Sequence, residues 1–478
     1  MKNLFIFLML FSSFCVSAQE YTTKSKKAIK FYEQAKSLFW DQKYAQSELI
    51  VSKAIKLDSN FVEAFTLLSG TYALRRMGEE NLRTMATCVR INGMQYPSVY
   101  YHYAVELFDN GKYDEALANY QIADNNSRIL TKALHQKVKA GIENTLFAIQ
   151  LKNNPVPFNP VNIGANINSE WDDYLPSFTV DESYVVITSR IPAEGRQVMN
   201  GYSGQEDFYV SKKVDGAWLP RQNVGEPINT LTNEGAQSLS ANGRLLVYTA
   251  CERYDSYGDC DLYYTSKTGK SWSIPKNINK PINTRYWESQ PSLSADGRIL
   301  YFVSNKPGGY GGMDIWFSTL NEYGEWTIPT NMGEVINTDK DESSPFIHSD
   351  GRTLYFASSG HKGMGKSDIF YSRKLPDNTW QKPTNIGYPI NSHEEEQDFI
   401  VNAKADLGFF SSDRFKGEGR LDVYQFELYE AARPLPVTYA KGIIFDAETK
   451  RKLEALFEIY DLHTNELLVQ SLSDPRTW

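Results

Sequence analysis

The spacing of apolar and polar positions changes near residue 154 of the chain. Between residues 26 and 150, apolar and small residues recur at helical spacing, as in FYEQAKSLFWDQKYAQSELIVSKAIKLDSN and YYHYAVELFDNGKYDEALANYQIADNNS. After the proline-rich stretch NNPVPFNP, short runs of alternating apolar and polar residues replace this pattern. A period of about 3.6 residues indicates amphipathic helices, and alternation indicates strands. The pattern therefore predicts a multidomain chain, all-α first and all-β afterwards.

The helical part contains a repeat of about 34 residues. Lys43 and Lys112, like Phe39 and Phe108, lie 69 residues apart, which corresponds to two such units. Small residues where helices approach, with aromatic residues between them, are typical of tetratricopeptide repeats at this period. We predict a tetratricopeptide-repeat domain at residues 24–152, with three repeats and a closing helix that begins near Thr131.

The β part repeats five times. The repeats begin with NIGANINS at Asn162, NVGEPINT at Asn223, NINKPINT at Asn277, NMGEVINT at Asn331 and NIGYPINS at Asn385. Each unit of about 50 residues contains four short strands, as a β-propeller blade does. Four units end in a Trp-x-x-Pro strand, whereas the fifth ends in DVYQFELYE. We predict a five-bladed propeller at residues 155–430, in which PVPFNPVNIG supplies the missing strand of the fifth blade.

The last segment, residues 437–478, has a different pattern. It contains two β-rich runs, AKGIIFDAE and ALFEIYDLHTNELLVQS, and stops at Trp478. These runs resemble the start of a carboxypeptidase-regulatory-like β-sandwich. A segment of about 40 residues has too few strands to close a sandwich core. We expect a partial domain, which is either truncated or incompletely folded.

The first 18 residues have the form of a secretory signal peptide. Lys2 is followed by an apolar stretch, and small residues precede Gln19. The alternative is a lipoprotein acylated at Cys15, but Phe14 is bulky where a small residue is required. The apolar stretch is too short to span a bilayer, and no later stretch is apolar enough. We therefore predict an exported protein that is not itself transmembrane.

The net charge argues against one class of partner, and the expected export bears on the oxidation state of the cysteines. A net charge of −8 and a pI near 5.5 argue against nucleic acid as a partner. Export places the thiols in an oxidising compartment. Cys251 and Cys260 flank a hairpin connection, and we predict a disulfide between them, with two reduced thiols as the alternative. Cys88 is expected to be a small buried residue on a helix.

The segment GHKGMGKS, Gly360–Ser367, matches the phosphate-binding pattern G-x-x-x-x-G-K-S. Such a loop requires a following helix, whose N-terminal amides hold the phosphates. Here DIFYSRK follows, which is a strand pattern, and the segment aligns with a blade loop. We predict no nucleotide binding and attribute the glycines to positive φ angles in the loop.

No catalytic constellation is found in the sequence. A serine peptidase would need a G-x-S-x-G elbow on an α/β domain, and a zinc peptidase would need H-E-x-x-H. Neither is present, so we expect no enzymatic activity, no cofactor and no metal centre. The acidic run HEEEQD, His393–Asp398, is interpreted as a solvated charge run.

Two acidic positions recur in all five units. One precedes each third strand, and we interpret it as structural, with calcium ligation as the alternative. Its members are Asp207, Asp261, Asp314, Asp368 and Asp422. The other follows the Asn of each I-N-[ST] by five residues. Its members are Asp173, Glu234, Glu288, Glu342 and Glu396. We expect these either to pair locally or to form an acidic rim that attracts a cation or a basic partner segment.

Taken together, the domains resemble a known family of envelope proteins. The propeller units are similar to the WD-like (PD40) repeats of TolB, and the order of domains resembles that of PorE-type proteins of type IX secretion and gliding. The resemblance implies a periplasmic scaffold associated with the outer membrane, with protein partners in the cell envelope. The family's peptidoglycan-binding OmpA-like domain is missing from the sequence, so peptidoglycan binding is not expected. The alternatives are a TolB-like component of another envelope complex and a propeller sensor that binds a glycan or a peptide.

Overall fold

The structure of the protein is a computed structural model, which describes residues 21–75, 77–92, 95–192, 204–268, 271–439, 444–453, 455–460 and 462–472. The chain divides into two compact units. The first runs to Pro155 and includes Lys362–Lys366 and Gly387–Glu395. The second contains Val156–His361, Ser367–Ile386 and the residues from Glu396 onward.

The N-terminal segment is not part of the described structure. The predicted signal peptide at residues 1–18, with Cys15, lies outside the described residues. Within the described part of the chain, no helix combines the length and the apolarity needed to cross a membrane.

The described residues of the first unit form seven α-helices. They are α1 (Lys26–Trp40), α2 (Tyr44–Leu57), α3 (Val62–Leu74), α4 (Gly78–Asn92), α5 (Pro97–Asp109), α6 (Tyr113–Asn125) and α7 (Lys132–Asn153). Ser25 caps α1 by accepting a hydrogen bond from the Ala28 amide, and Thr131 caps α7 in the same way through the Leu134 amide. The helices pack pairwise along the chain, as the 34-residue repeat predicts.

The repeat residues identified in the sequence form the helical core. On α1, Ala28, Tyr32, Ala35 and Phe39 lie on one face and are at most 1% exposed. The turns after α1 and α5 contain equivalent residues with positive φ, Gln42 at 60° and Gly111 at 69°. Because only glycine adopts this conformation without strain, the asparagine-glycine turn is the less strained of the two. Cys88 on α4 is buried.

The second unit contains a five-bladed β-propeller, which is preceded by β1 (Val161–Asn162). Blade one has β2 (Asp172–Phe178), β3 (Tyr184–Pro192), β4 (Gly204–Val214), β5 (Ala217–Trp218) and β6 (Gln222–Asn223). Blade two has β7 (Glu234–Leu239), β8 (Leu245–Cys251), β9 (Cys260–Thr268), β10 (Ser271–Trp272) and β11 (Lys276–Asn277).

The remaining blades have one two-residue outer strand each, where blades one and two have two. Blade three has β12 (Glu288–Leu293), β13 (Ile299–Ser304), β14 (Asp314–Thr319) and β15 (Thr330–Asn331). Blade four has β16 (Glu342–Ile347), β17 (Thr353–Ser358), β18 (Asp368–Arg373) and β19 (Thr384–Asn385). Blade five has β20 (Ile400–Val401), β21 (Leu407–Ser412) and β22 (Asp422–Glu427). The predicted fold class, helical repeats followed by a five-bladed propeller, is confirmed.

The ring is closed by the strand that precedes the first blade. β1 pairs antiparallel with β22, with Val161 opposite Gln425 and Asn162 opposite Tyr424. The fifth blade therefore has the strand order β1-β22-β21-β20. The paired strand is only two residues long, within the longer stretch PVPFNPVNIG that the sequence indicates. This pairing covers the edge of β22 that would otherwise be open.

Two further features complete the second unit. Cys251 and Cys260 lie directly opposite each other on β8 and β9 and form a disulfide, with their Cα atoms 4.0 Å apart. The disulfide closes the base of the loop at residues 252–259. Past the propeller, β23 (Leu456–Tyr460) and β24 (Leu467–Leu472) form a hairpin.

Candidate functional site

The aspartate at or near the start of each third strand accepts a hydrogen bond from an asparagine of the repeat motif. Asp207 is half-buried, and its four equivalents are buried. Asp261 accepts hydrogen bonds from the amides of Tyr257 and Gly258 at 2.7 and 3.1 Å, and from Asn277 Nδ2 at 2.8 Å. Asp314 and Asp422 bind the matching amides of their own blades. Because both carboxylate oxygens accept N–H groups, the arrangement favours the structural role over calcium ligation.

The two asparagines of each repeat motif complete this frame, a role that sequence reasoning did not assign. Asn283 accepts the Leu262 amide at 2.9 Å and donates to the Leu262 carbonyl at 2.8 Å. Its Nδ2 also donates to Asn277 Oδ1 at 2.7 Å. Asn168, Asn229 and Asn337 make the same contacts in their blades. Their recurrence at a fixed spacing was the available signal.

The carboxylates expected to form an acidic rim are buried instead. Asp173, Glu234, Glu288 and Glu342 are 0% exposed and Glu396 is 7% exposed. Each lies at or just before the start of the innermost strand, where donors of its own blade surround it. A carboxylate that water does not reach cannot receive a partner segment, so the rim hypothesis is corrected in favour of local pairing.

Glu342 shows how such a carboxylate is held. It accepts the Thr338 amide, the Thr338 hydroxyl and the Ser358 hydroxyl, each at 2.7 Å. Glu288 has the same three kinds of donor. In the other blades an arginine joins the donors: Arg221 for Asp173, Arg253 for Glu234 and Arg414 for Glu396. Burial raises the pKa of Glu288 and Glu342 above the ordinary value, although these donors favour the charged form.

Two residues after each buried carboxylate lies a residue with positive φ, and in blades one to four the innermost strand bulges there. The β7–β8 register shifts between Gly235 and Ser238, so that two residues of β7 face one residue of β8. In blade five the equivalent residue, Asp398, precedes β20 and has positive φ as well. The five positive-φ residues are Leu175 (51°), Ala236 (49°), Gln290 (52°), Ser344 (48°) and Asp398 (63°). Five non-glycine residues in this conformation constitute a strained ring that the surrounding pairing must hold in place.

These bulges line a cavity of about 100 Å³ in the central channel. Apolar walls come from residues such as Leu175, Pro291, Pro345 and Phe346, and polar groups come from Gln237, Gln290, Ser344 and Asp398. We call this set the channel cavity. Concave sites with apolar walls and a few convergent polar groups are typical ligand sites.

Hydrogen bonds link neighbouring blades around the channel cavity. Gln237 in blade two accepts from Thr188 Oγ1 at 2.7 Å and donates to the Val186 carbonyl at 2.9 Å, both in blade one. Gln290 Oε1 in blade three accepts the Ser344 amide at 2.8 Å. The Ser344 hydroxyl then donates to Asp398 Oδ1 at 2.9 Å, which links blade four to blade five. The channel wall is therefore a connected polar network as well as a packed one.

The sequence interpretation missed these channel residues. Asp398 belongs to HEEEQD, which was expected to be a solvated run, yet Asp398 is 8% exposed and Glu396 is 7% exposed. Glu395, which precedes both, is exposed, and Gln397, between them, is half-buried. The segment that leads into β20 buries Glu396 and Asp398, which a count of charges does not show. The available signal was the column two residues after each buried carboxylate, which differs in every blade.

The GHKGMGKS segment packs against helices instead of forming a phosphate site. Met364 is fully buried in the first unit with Leu107, Phe108 and Tyr113, and its carbonyl accepts the Tyr113 hydroxyl at 2.8 Å. β18 follows directly, so no helix N-terminus is present there. The expected positive φ of the glycines is wrong for Gly360 and Gly365. At Gly365 a Cβ atom would instead collide with the backbone of residues 392–394, so close packing requires this glycine.

Comparisons with known proteins give structural likenesses at low identity. No family model matches the chain, and no curated protein matches it. The Yersinia enterocolitica type III secretion translocator chaperone SycD is 18% identical, with 28% of this chain and 90% of that chain covered and a TM-score of 0.25. The tetratricopeptide-repeat domain of Sgt2 from Aspergillus fumigatus is 14% identical, with 30% and 92% covered and a TM-score of 0.25. An α-L-arabinofuranosidase from Lactobacillus brevis is 14% identical, with 58% and 98% covered and a TM-score of 0.39. Likenesses of this size carry no argument about activity or partners.

Proposed function

We propose that the protein is a non-enzymatic scaffold that binds other proteins in the cell envelope. Its place would be the periplasm at the outer membrane, in the machinery of type IX secretion or gliding, as the domain order suggests. Helical repeats and propellers both present large rigid surfaces for recognition. The observation that carries the proposal is a set of exposed tyrosines on one face of the propeller.

These tyrosines lie on loops that join second and third strands. Tyr254 is 101% exposed on the loop between β8 and β9, and Tyr310 is 52% exposed on the loop between β13 and β14. Equivalent loops of a propeller lie on the same face, so the two side chains share a surface. Tyrosine supplies a large contact area at low entropic cost and is enriched at the centres of protein interfaces. The disulfide at the base of the first loop restrains it before any partner binds.

The repeated carboxylates form hydrogen bonds within their own blades, which also supports a binding role. Acid–base catalysis by paired carboxylates needs side chains that reach a substrate. The carboxylates at the two repeated acidic positions instead accept hydrogen bonds within their own blades. The donors are backbone amides, hydroxyls, asparagine side chains and guanidinium groups. Their place in the frame accounts for their recurrence without a reaction.

The scaffold proposal is tested by affinity capture from envelope extracts with the chain from Gln19 to Trp478. We expect subunits of the secretion or gliding machinery to be captured. The double variant Tyr254→Ala with Tyr310→Ala should recover at least about tenfold less of these subunits. The reason is that a tyrosine at an interface hot spot often contributes about 2 kcal/mol or more to binding. Tyr323→Ala is the matched control. It is 80% exposed, but it lies in the turn after β14, on the opposite face.

The outcomes of the capture separate the alternatives. Peptidoglycan-associated lipoproteins in place of secretion subunits would favour a TolB-like component of another complex. No protein partner, with retention of a glycan or a peptide, would favour the sensor. If the tyrosine pair and Tyr323→Ala behave alike, the tyrosine face is not the binding surface.

Lys366→Ala is expected to change neither nucleotide binding nor partner capture. Lys366 Nζ lies 3.1 Å from Glu394 Oε2, and both side chains are about half exposed, at 54% and 47%. Such a surface pair contributes at most about 1 kcal/mol. Calorimetric titration with ATP and magnesium should show no binding to either protein. Lys362→Ala is the control, since it breaks a similar exposed pair with Glu143. Magnesium-dependent ATP binding that disappears in Lys366→Ala alone would contradict the scaffold proposal.

A further inference from the structure

The first two helices present a cluster of exposed lysines. Lys27 and Lys30 on α1 and Lys53 and Lys56 on α2 are all exposed. Lys53 Nζ lies 5.9 Å from the centre of the Phe31 ring, so these sides of the two helices lie next to each other. Because α1 and α2 run antiparallel with a short turn between them, Lys27 and Lys56 lie at the same end of the pair. We call the four lysines the basic face.

The acidic residues of this helical pair are engaged elsewhere. The sequences of α1 and α2 contain one glutamate each. Glu33 lies 3.8 Å from Lys36 Nζ, and Glu48 pairs with Arg75 on α3. Asp58, directly after α2, accepts a backbone amide of the next turn at 2.9 Å. Among the residues that the structure describes, no acidic group forms an ion pair with the basic face, so its positive charge is uncompensated there.

Lysine also occupies the first turn of α1, where a helix least favours a positive charge. The helix dipole places partial positive charge at the N-terminus, so acidic residues stabilise a first turn and basic residues destabilise it. The first turn of α1 contains Lys26 and Lys27 and no acidic residue. The first turns of α4 and α6, by contrast, each contain two acidic residues. The positive charge at the start of α1 therefore does not serve the stability of its own helix, and such departures are expected at functional sites.

Exposed leucines lie among these lysines. Leu49 is 67% exposed and Leu57 is 44% exposed. Leu49, Lys53 and Leu57 follow one another at four-residue spacing on α2, so the three side chains lie along one side of the helix. Lysine stems lie along apolar surface while their ammonium groups extend beyond it. A surface that combines lysines with exposed leucines is typical of helices that bind at a membrane interface.

This combination favours a lipid surface over an acidic polypeptide. An acidic polypeptide would satisfy the lysines but would leave the leucines in water, whereas the boundary of a bilayer takes up both kinds of side chain. A cluster of about four to eight basic residues is typical of a site for anionic lipids. Each lysine near such a surface raises the affinity about fivefold, so four lysines together have a large effect.

We propose that the basic face, together with Leu49 and Leu57, docks the first helical pair on an anionic phospholipid bilayer. The ammonium groups lie at the level of the lipid phosphates, and the two leucines enter the boundary with the acyl chains. The binding is peripheral and reversible, and salt weakens it because the charges are exposed. This inference goes beyond the scaffold proposal, and vesicles test it without any protein partner.

The test is sedimentation of the chain from Gln19 to Trp478 with lipid vesicles. The anionic vesicles contain equal parts of phosphatidylglycerol and phosphatidylcholine, and the reference vesicles contain phosphatidylcholine alone. We expect binding to the anionic vesicles and at least about tenfold weaker binding to the reference vesicles. Added sodium chloride should release the protein from the anionic vesicles.

Charge reversal on α1 locates the site. Lys27→Glu with Lys30→Glu should weaken binding to the anionic vesicles at least about tenfold. The variant places glutamates near the start of α1, where the helix dipole favours them, so it should melt no lower than the wild type. The matched control is Lys132→Glu with Lys139→Glu, the same change of charge at two exposed lysines of α7. The control should bind within about twofold of the wild type, because it leaves the basic face intact.

A second variant, on α2, keeps the test decisive if the α1 variant does not fold. Lys53→Gln with Lys56→Gln removes two exposed charges and should also weaken vesicle binding at least about tenfold. Unchanged binding by either variant in its folded form would overturn the proposal. So would equal losses in the α7 control, or equal binding to the reference vesicles.

Leucine variants distinguish a bilayer from an acidic polypeptide. Leu49→Ser with Leu57→Ser keeps all four lysines and should weaken vesicle binding at least about fivefold, because two apolar side chains no longer enter the bilayer. Labelled poly-glutamate is the comparison probe, since it offers negative charge without acyl chains. Vesicle binding that depends on both the lysines and the leucines supports the proposal. Vesicle binding that is insensitive to the leucines, or tight binding of poly-glutamate without binding of vesicles, contradicts it.

Discussion

Deletion of residues 155–164 should abolish the cooperative unfolding of the propeller. The deletion removes β1, so β22 loses its outer partner and the backbone of the fifth blade is left with an open edge. It also removes Asn162, whose Nδ2 donates to Asp422 Oδ2 at 3.0 Å and whose Oδ1 accepts from Asn168. We expect aggregation or a broad, non-cooperative transition, measured by calorimetry of the deletion variant beside the wild type.

A milder variant separates closure from a general loss of residues. Asn162→Ala keeps the strand but leaves buried Asp422 without one of its donors, which should lower the free energy of unfolding by about 1 to 3 kcal/mol. Val161→Ala, at a side chain that is 59% exposed, should have little effect. A deletion variant with an unchanged melting transition would show that the β1–β22 pairing does not close the ring.

Glu342→Lys should destabilise the propeller by at least about 3 to 5 kcal/mol. The variant places an ammonium where three donors already point, in a position that is 0% exposed. Neither the charge nor the donors would then have an acceptor. Chemical denaturation measures the effect. Glu334→Lys, the same change of charge at an exposed side chain of the same blade, should stay within about 0.5 kcal/mol.

The pH dependence gives an independent check on Glu342. Burial raises the folded-state pKa of Glu342 above the ordinary 4.5, so between these two pKa values the folded state binds more protons than the unfolded state. The stability that the protonated form contributes is present below pH 4.5 and is lost as the pH rises through the folded pKa. Relative to Glu342→Gln, the wild type should therefore lose stability from pH 4.5 upward. In the denaturation experiment, equal free energies of unfolding for Glu342→Lys and Glu334→Lys would mean that water reaches the Glu342 carboxylate.

The blades could be predicted because their pairing residues repeat. Identical columns, such as the asparagine of I-N-[ST] and the aspartate before each third strand, require the same hydrogen bonds in each copy, and so the same strand order. The buried carboxylates were also identifiable as a column. Their burial was not, although the hydroxyl four residues earlier, as in Thr338 for Glu342, was a readable clue.

The channel cavity could not be predicted in the same way. Its five positive-φ positions share a backbone conformation but no residue type, and positive φ at Leu175 or Gln290 contradicts local preference. Pairing with distant strands imposes that conformation, so the residues next to each position do not predict it. The same holds for Met364, whose burial depends on helices more than 200 residues earlier in the chain.

The β1–β22 pairing also determines the order in which the propeller can fold. The two strands lie at opposite ends of the propeller sequence, so they cannot pair until the chain has been synthesised as far as Glu427. During synthesis, which proceeds from the N-terminus, β1 has no partner while four blades assemble behind it. Long-range closure of this kind is slow, and the intermediate exposes strand edges. Until the ring closes, β1 and β22 are therefore unpaired edges through which incomplete chains could associate with one another.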